Sequence, residues 1–130
     1  MSADQIRPED EWPLPPAWMW ACQECADRYR FMKRAIETVE ELRLTGQAHV
    51  DHDPFDSIVS SQIALAEHMA AEHLGQLPEW SPTCATCASH REAVSGAAGR
   101  DDARAATLIR IGGEHRARHI VVPPSIVELY

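Results

Sequence analysis

The spacing of apolar residues predicts helices along most of the chain. Cys25, Tyr29, Met32, Ile36 and Val39 recur at steps of four, three, four and three, the repeat of one helical face. A first helix is expected from Cys22–Cys25 to about Leu44, ended by Gly46. Residues 45–54 read as a loop. Asp53 then reads as an N-cap, with Pro54 at the first helical position and Asp56 three residues after the cap. Phe55, Val59, Gln62, Ala66, Met69 and His73 form the stripe of this second helix, and Gly75 and Pro78 terminate it. A third helix is expected to begin around Pro82–Cys84 and fade by Ser95, before a linker over 95–100. A fourth starts at Asp101 or Asp102 and sets Leu108, Ile111, His115 and His119 on one face. Gly112-Gly113 falls inside it. Each Gly costs about 1 kcal/mol against Ala in a helix interior. Two outcomes are open: a continuous helix held by a metal, or a break at Ile111 with a separate piece carrying the histidines.

The two ends read differently. Residues 1–17 are acidic and hold Pro8, Pro13, Pro15 and Pro16, so an extended segment is expected there. Trp18 and Trp20 are expected to cover a metal site and the core, with an exposed partner-binding anchor as the sharper alternative. The tail from Ile120 to Tyr130 is apolar, and Pro123-Pro124 within it reads as forbidding helix. It is expected to be an extended strap packed on the helices, with a partner-binding or dimer-forming strand as the alternative.

A repeat then changes the picture. Trp18 stands four residues before Cys22, and Trp80 four residues before Cys84. Cys22-Gln-Glu-Cys25 and Cys84-Ala-Thr-Cys87 are both followed by Ala. Each copy closes on a histidine pair, His68 with His73 and His115 with His119. Cysteines two apart followed by histidines three to five apart are the spacing of a tetrahedral zinc site. A CxxC at a helix start lies near free N–H groups and the positive dipole end, which lowers thiol pKa. A histidine pair at the end of the returning helix arrives at the same end of the hairpin. The expected fold is therefore all-α: two diverged zinc-closed helix-loop-helix units, about four helices, sharing a core with extended N- and C-terminal segments. The boundaries are a flexible, acidic, Pro-rich 1–13, a first zinc hairpin 14–76, a second 77–122 and a C-terminal strap 123–130.

The expected metal ligands are Cys22, Cys25, His68 and His73 at one zinc, and Cys84, Cys87, His115 and His119 at a second. His68 and His73 are five apart, about 140° around an ideal helix, so His49 or His52 stands as a substitute for His68. The two CxxC pairs sharing one four-cysteine zinc is the competing arrangement. The ligand order resembles that of Cys2His2 zinc fingers. The gaps do not: 42 residues separate Cys25 from His68 and 27 separate Cys87 from His115. No named family is assigned.

Composition adds limits. The chain has 130 residues but only two Phe and two Tyr, so an Ala-rich aliphatic core is expected to need metal cross-links. A net charge of −8 counts against a general DNA coat. Residues 51–80 hold six acids and no Lys or Arg, whereas Arg100, Arg104, Arg110, Arg116 and Arg118 cluster later. No basic-then-apolar leader and no membrane-length apolar run is present, so a soluble cytoplasmic protein is expected. In such a reducing compartment the cysteines read as metal ligands.

His68-Met-Ala-Ala-Glu72-His73 has one residue too many for an inverted zincin signature. His90-Arg-Glu92 has the H-x-E form of zinc deaminases, but it follows the CxxC that it should precede. Four protein ligands also leave zinc no place for a catalytic water. The expectation is not an enzyme but a zinc-stabilised module that binds another protein in a regulatory or adaptor role, through residues 12–20, 51–80 or 120–130. The alternative is nucleic-acid binding through Arg28, Arg30, Lys33 and Arg34, or Arg104, Arg110, Arg116 and Arg118. A zinc hydrolase stands third.

Overall fold

A computed structural model describes residues 12–45 and 54–127. Residues 1–11, 46–53 and 128–130 lie outside the description, and with them Gly46, His49, His52 and the expected Asp53 cap. A 3-10 turn, Ala17–Ala21, leads into α1 (Gln23–Thr45). Then come α2 (Pro54–Glu72), a second 3-10 turn (Leu74–Gln76), α3 (Ala85–Ala97), α4 (Ala103–Val121) and α5 (Pro124–Val127). The described residues are all-helical, with no strand among them. The chain divides into two compact units, Pro16–Leu65 and a second built from Ala66 onward, and the division falls within α2.

In Pro16–Leu65 the core consists of Met19, Cys25, Ala26, Met32, Ala35, Val39 and Leu65. The α1 face read from the sequence is the inward one, with Tyr29 and Ile36 half-buried beside it. Opposite, Arg28 pairs with Glu24 at 3.0 Å and Arg30 with Asp27 at 3.6 Å. Of the two tryptophans expected to cover the core, Trp18 is half-buried, and Met19 between them is fully buried. Trp20 is 45% exposed and sets its ring edge-on to Tyr29 at 5.6 Å. The α2 stripe also needs correction. Gln62, Ala66 and Met69 are buried as expected, but Val59 is exposed and Ser61, outside the stripe, is buried. Ser61 can turn inward because its hydroxyl donates to the carbonyls of Ser57 and Ile58 at 2.6 and 3.1 Å, which satisfies it within the helix.

In the second unit α3 and α4 pack antiparallel, so the start of α3 meets the end of α4. Asp102 caps α4 by accepting the Ala105 N–H at 2.7 Å. Gly99, at φ +82°, follows α3 in the left-handed conformation that a side chain would resist. The helix runs unbroken through Gly112-Gly113, so the break at Ile111 does not occur. Close approach explains the pair. A Cβ on Gly112 would lie 2.9 Å from Val94 Cγ2 and 3.0 Å from Trp80 Cη2. One on Gly113 would lie 2.9 Å from Leu74 Cδ1 and 3.2 Å from Ala70 Cβ. Ile111, expected on the inner face, is 37% exposed. The C-terminal segment packs down as expected, but Pro124–Val127 is a helical turn and not extended chain. Pro124 stands at the first helical position, where its missing N–H costs nothing, and the Val127 N–H reaches the Pro123 carbonyl at 3.1 Å. Val121, Val122 and Val127 are each 1% exposed.

Candidate metal centres

Cys84 occupies the N-cap of α3, and its sulfur accepts the Cys87 N–H at 3.4 Å. Cys87 Sγ in turn accepts the Ser81 N–H at 3.3 Å. One turn apart near the end of α4, His115 and His119 both direct Nε2 at these sulfurs. Cys84 Sγ lies 3.6 Å from His115 Nε2, Cys87 Sγ 3.1 Å from His119 Nε2, and the two Nε2 atoms 3.2 Å apart. Zn–S bonds near 2.3 Å and Zn–N bonds near 2.05 Å in a tetrahedron require edges of about 3.5 Å (S–N) and about 3.3 Å (N–N). The three observed edges lie within about half an ångström of those lengths. The four donors thus surround a point that a zinc-sized ion fits, and all four ligand atoms lie within 4.8 Å of one another.

The first candidate set repeats the local plan. Cys22 follows the 3-10 turn and precedes α1, and its sulfur accepts the Cys25 N–H at 3.5 Å. His68 lies within α2, whereas His73 stands one residue past its end, at φ −132° and ψ 27°. The 140° offset of an ideal helix therefore does not apply to this pair, and the rings meet edge-on at 5.2 Å. His73 Nδ1 lies 2.9 Å from Gln76 Oε1, and donation to that oxygen leaves the lone pair on Nε2. Cys22, Cys25, His68 and His73 also offer ligand atoms within 4.8 Å of one another. Each cysteine pair is grouped with the histidine pair expected for it. The chain has two Cys2His2 clusters that could hold metal ions.

The electrostatics differ from the expectation at the thiols. The helix start was expected to favour thiolate, but burial dominates. It pushes the Cys25 thiol up to about 12, helped by the hydrogen bond and charge of Cys22. Burial also raises the Cys87 thiol, with the Ser81 amide opposing and the nearby Cys84 adding. His115, wholly enclosed, is held down to about 4, chiefly by burial and then by His119, His90 and Arg118. Burial lowers His119 as well. Burial thus favours protonated Cys25 and Cys87 thiols and neutral His115 and His119 imidazoles. Neutral imidazole is the form a metal takes, and a dication at the centre would reverse the cost of ionising the sulfurs.

Three features around the ligands have no signal in residue spacing. These are the Ser81 amide, the Gln76 side chain and the His90 ring, which lies over His115 at 4.9 Å. Arg116 and Arg118, assigned from sequence to a basic face, are drawn into the fold. Arg118 is buried, and Arg116 donates to the Pro78 and Leu77 carbonyls at 2.7 and 3.2 Å. Among the described residues no helix is long and apolar enough to cross a membrane. In comparisons with known proteins, no family model, no curated protein and no solved structure matches this chain.

Proposed function

We propose that the chain binds two zinc ions as structural cross-links, and that the resulting helical module engages another protein in a regulatory or adaptor role. The observation carrying the metal reading is the Cys84, Cys87, His115 and His119 cluster, whose donor types and edges suit tetrahedral zinc. Four protein donors fill the coordination sphere and leave no position for a reacting water, which favours a structural over a hydrolytic metal. Thiolate ligation suits a reducing compartment such as the cytoplasm.

Exposed apolar side chains support the binding role. Leu14 is 91% exposed and Phe31 59%. Phe31 borders a groove of about 440 Å³ together with Asp27, Arg28, Ser60, Ser61 and Ala64. Aromatic side chains such as Phe31 are enriched at protein interfaces. The nucleic-acid reading draws less support. Arg28, Arg30 and Arg110 pair with carboxylates, Arg116 bonds backbone carbonyls and Arg118 is buried.

Metal content tests the first half. Wild type, Cys22→Ser and Cys84→Ser should carry two, one and one zincs per chain. A result of one, zero and zero would point to a shared four-cysteine site, and none at all would end the metal reading. Affinity capture tests the second half. A partner retained by wild type should be lost with Phe31→Asp, while the zinc content stays at two. Failure to recover any specific protein partner would remove the adaptor role. Capture of nucleic acid that weakens steeply with salt would replace it.

A further inference from the structure

We infer that Arg116 is a positioning residue for the second metal cluster: it clamps the Leu77–Ser81 segment to α4 so that the Ser81 amide is held on the Cys87 sulfur. The inference rests on the zinc reading of that cluster. Its basis is a set of contacts at four of the five residues from Leu77 to Ser81. Arg116 Nε donates to the Pro78 carbonyl at 2.7 Å, and Nη2 donates to the Leu77 carbonyl at 3.2 Å. The guanidinium carbon lies 5.5 Å from the centre of the Trp80 ring. The same ring rests on Gly112, one helical turn earlier, where no Cβ could fit without a shift. The next residue, Ser81, donates its N–H to Cys87 Sγ at 3.3 Å.

This arrangement suits the chemistry of a thiolate ligand. An amide hydrogen bond to sulfur withdraws charge from the metal-bound thiolate and fixes its direction. A loop amide can do this only if the loop is held, and Leu77–Ser81 lies outside the helices that would otherwise hold it. Arg116 supplies the hold from the residue next to His115, so one short stretch of α4 provides both a ligand and the brace of the opposing ligand. The task requires Arg. Two forked donors meet two successive carbonyls while the planar face covers an indole, and a lysine ammonium cannot do both. Arg30 over Trp20, at 5.4 Å, offers a contrast, because its guanidinium pairs with Asp27 on an exposed helix surface.

The test uses the full chain carrying Cys22→Ser, which isolates the second cluster, with and without Arg116→Lys or Arg116→Met. Zinc transfer to a chromophoric chelator, the thiolate-to-cobalt charge-transfer band of cobalt-loaded protein and the exchange rate of the Ser81 amide are measured. Both Arg116 variants should release zinc roughly 10–100-fold faster, the range typical of lost outer-shell partners. Their charge-transfer band should move to longer wavelength as sulfur loses its donor, and the Ser81 amide should exchange faster. Helix content by circular dichroism should be unchanged, which separates a local loss from unfolding. Unchanged release, band and exchange in Arg116→Met would overturn the inference while leaving the metal site intact. Full rescue by Arg116→Lys would overturn the forked-clamp geometry in favour of charge alone. If the Cys22→Ser parent takes up neither zinc nor cobalt, the metal reading itself has failed.

Discussion

Gly112→Ala separates what helix propensity predicts from what packing allows. Propensity alone makes the change favourable by about 1 kcal/mol, since Gly is the poorer residue in a helix interior. The added methyl, however, would stand 2.9 Å from Val94 Cγ2 and 3.0 Å from Trp80 Cη2. Neither neighbour yields easily. Val94 is β-branched on α3 and stiff at χ1, and the Trp80 ring is flanked by the Arg116 guanidinium. Overpacking of this kind costs about 1–3 kcal/mol, so the net effect should be a loss of about 0–2 kcal/mol. Gly113→Ala should be milder. Its closest neighbour at 2.9 Å is the end of a partly exposed Leu74 side chain, which can swing away, although Ala70 Cβ at 3.2 Å belongs to α2 and cannot. Thermal unfolding of zinc-loaded protein, followed by circular dichroism, reads both changes. Gly112→Ala should melt a few degrees below wild type, and Gly113→Ala should fall between the two. A melting temperature raised by Gly112→Ala would refute the close approach of α4 to Trp80 and α3.

Zinc loading near neutral pH should release protons, because burial holds the Cys25 and Cys87 thiols protonated and they must ionise to bind, whereas burial already keeps His115 and His119 neutral. Titration calorimetry in buffers of different ionisation enthalpy counts them, and no release would exclude cysteine ligation. The metal-free protein should weaken in acid. His115 is held down to about 4, so the unfolded chain takes up its proton first as pH falls below the usual 6.5. Stability should drop by up to about 3 kcal/mol between those values, and urea unfolding in chelator should show a flatter pH profile for His115→Leu. Asp102→Ala removes the 2.7 Å cap of α4 and should cost about 1 kcal/mol in urea unfolding without changing zinc content.

Much of this architecture is local and therefore legible in the chain. Helical faces, an Asp cap, CxxC at a helix start and His115 four residues before His119 all depend on neighbours within a turn or two. Those features were enough to place α1 and α4 within a few residues and to nominate the eight residues that gather in two clusters. Periodicity cannot say which apolar residue meets a partner, so Val59 and Ile111 were assigned inward and lie exposed. Nor can it price a glycine pair, whose cost or value depends on what stands opposite. Arg116 shows the limit most clearly. Its charge suggested a surface for phosphates, yet its partners are carbonyls 38 and 39 positions away in the chain. Local rules set where the helices form; only the approach of distant backbone decides which polar groups must be satisfied inside, because a buried donor needs its acceptor in space, whatever its distance in sequence.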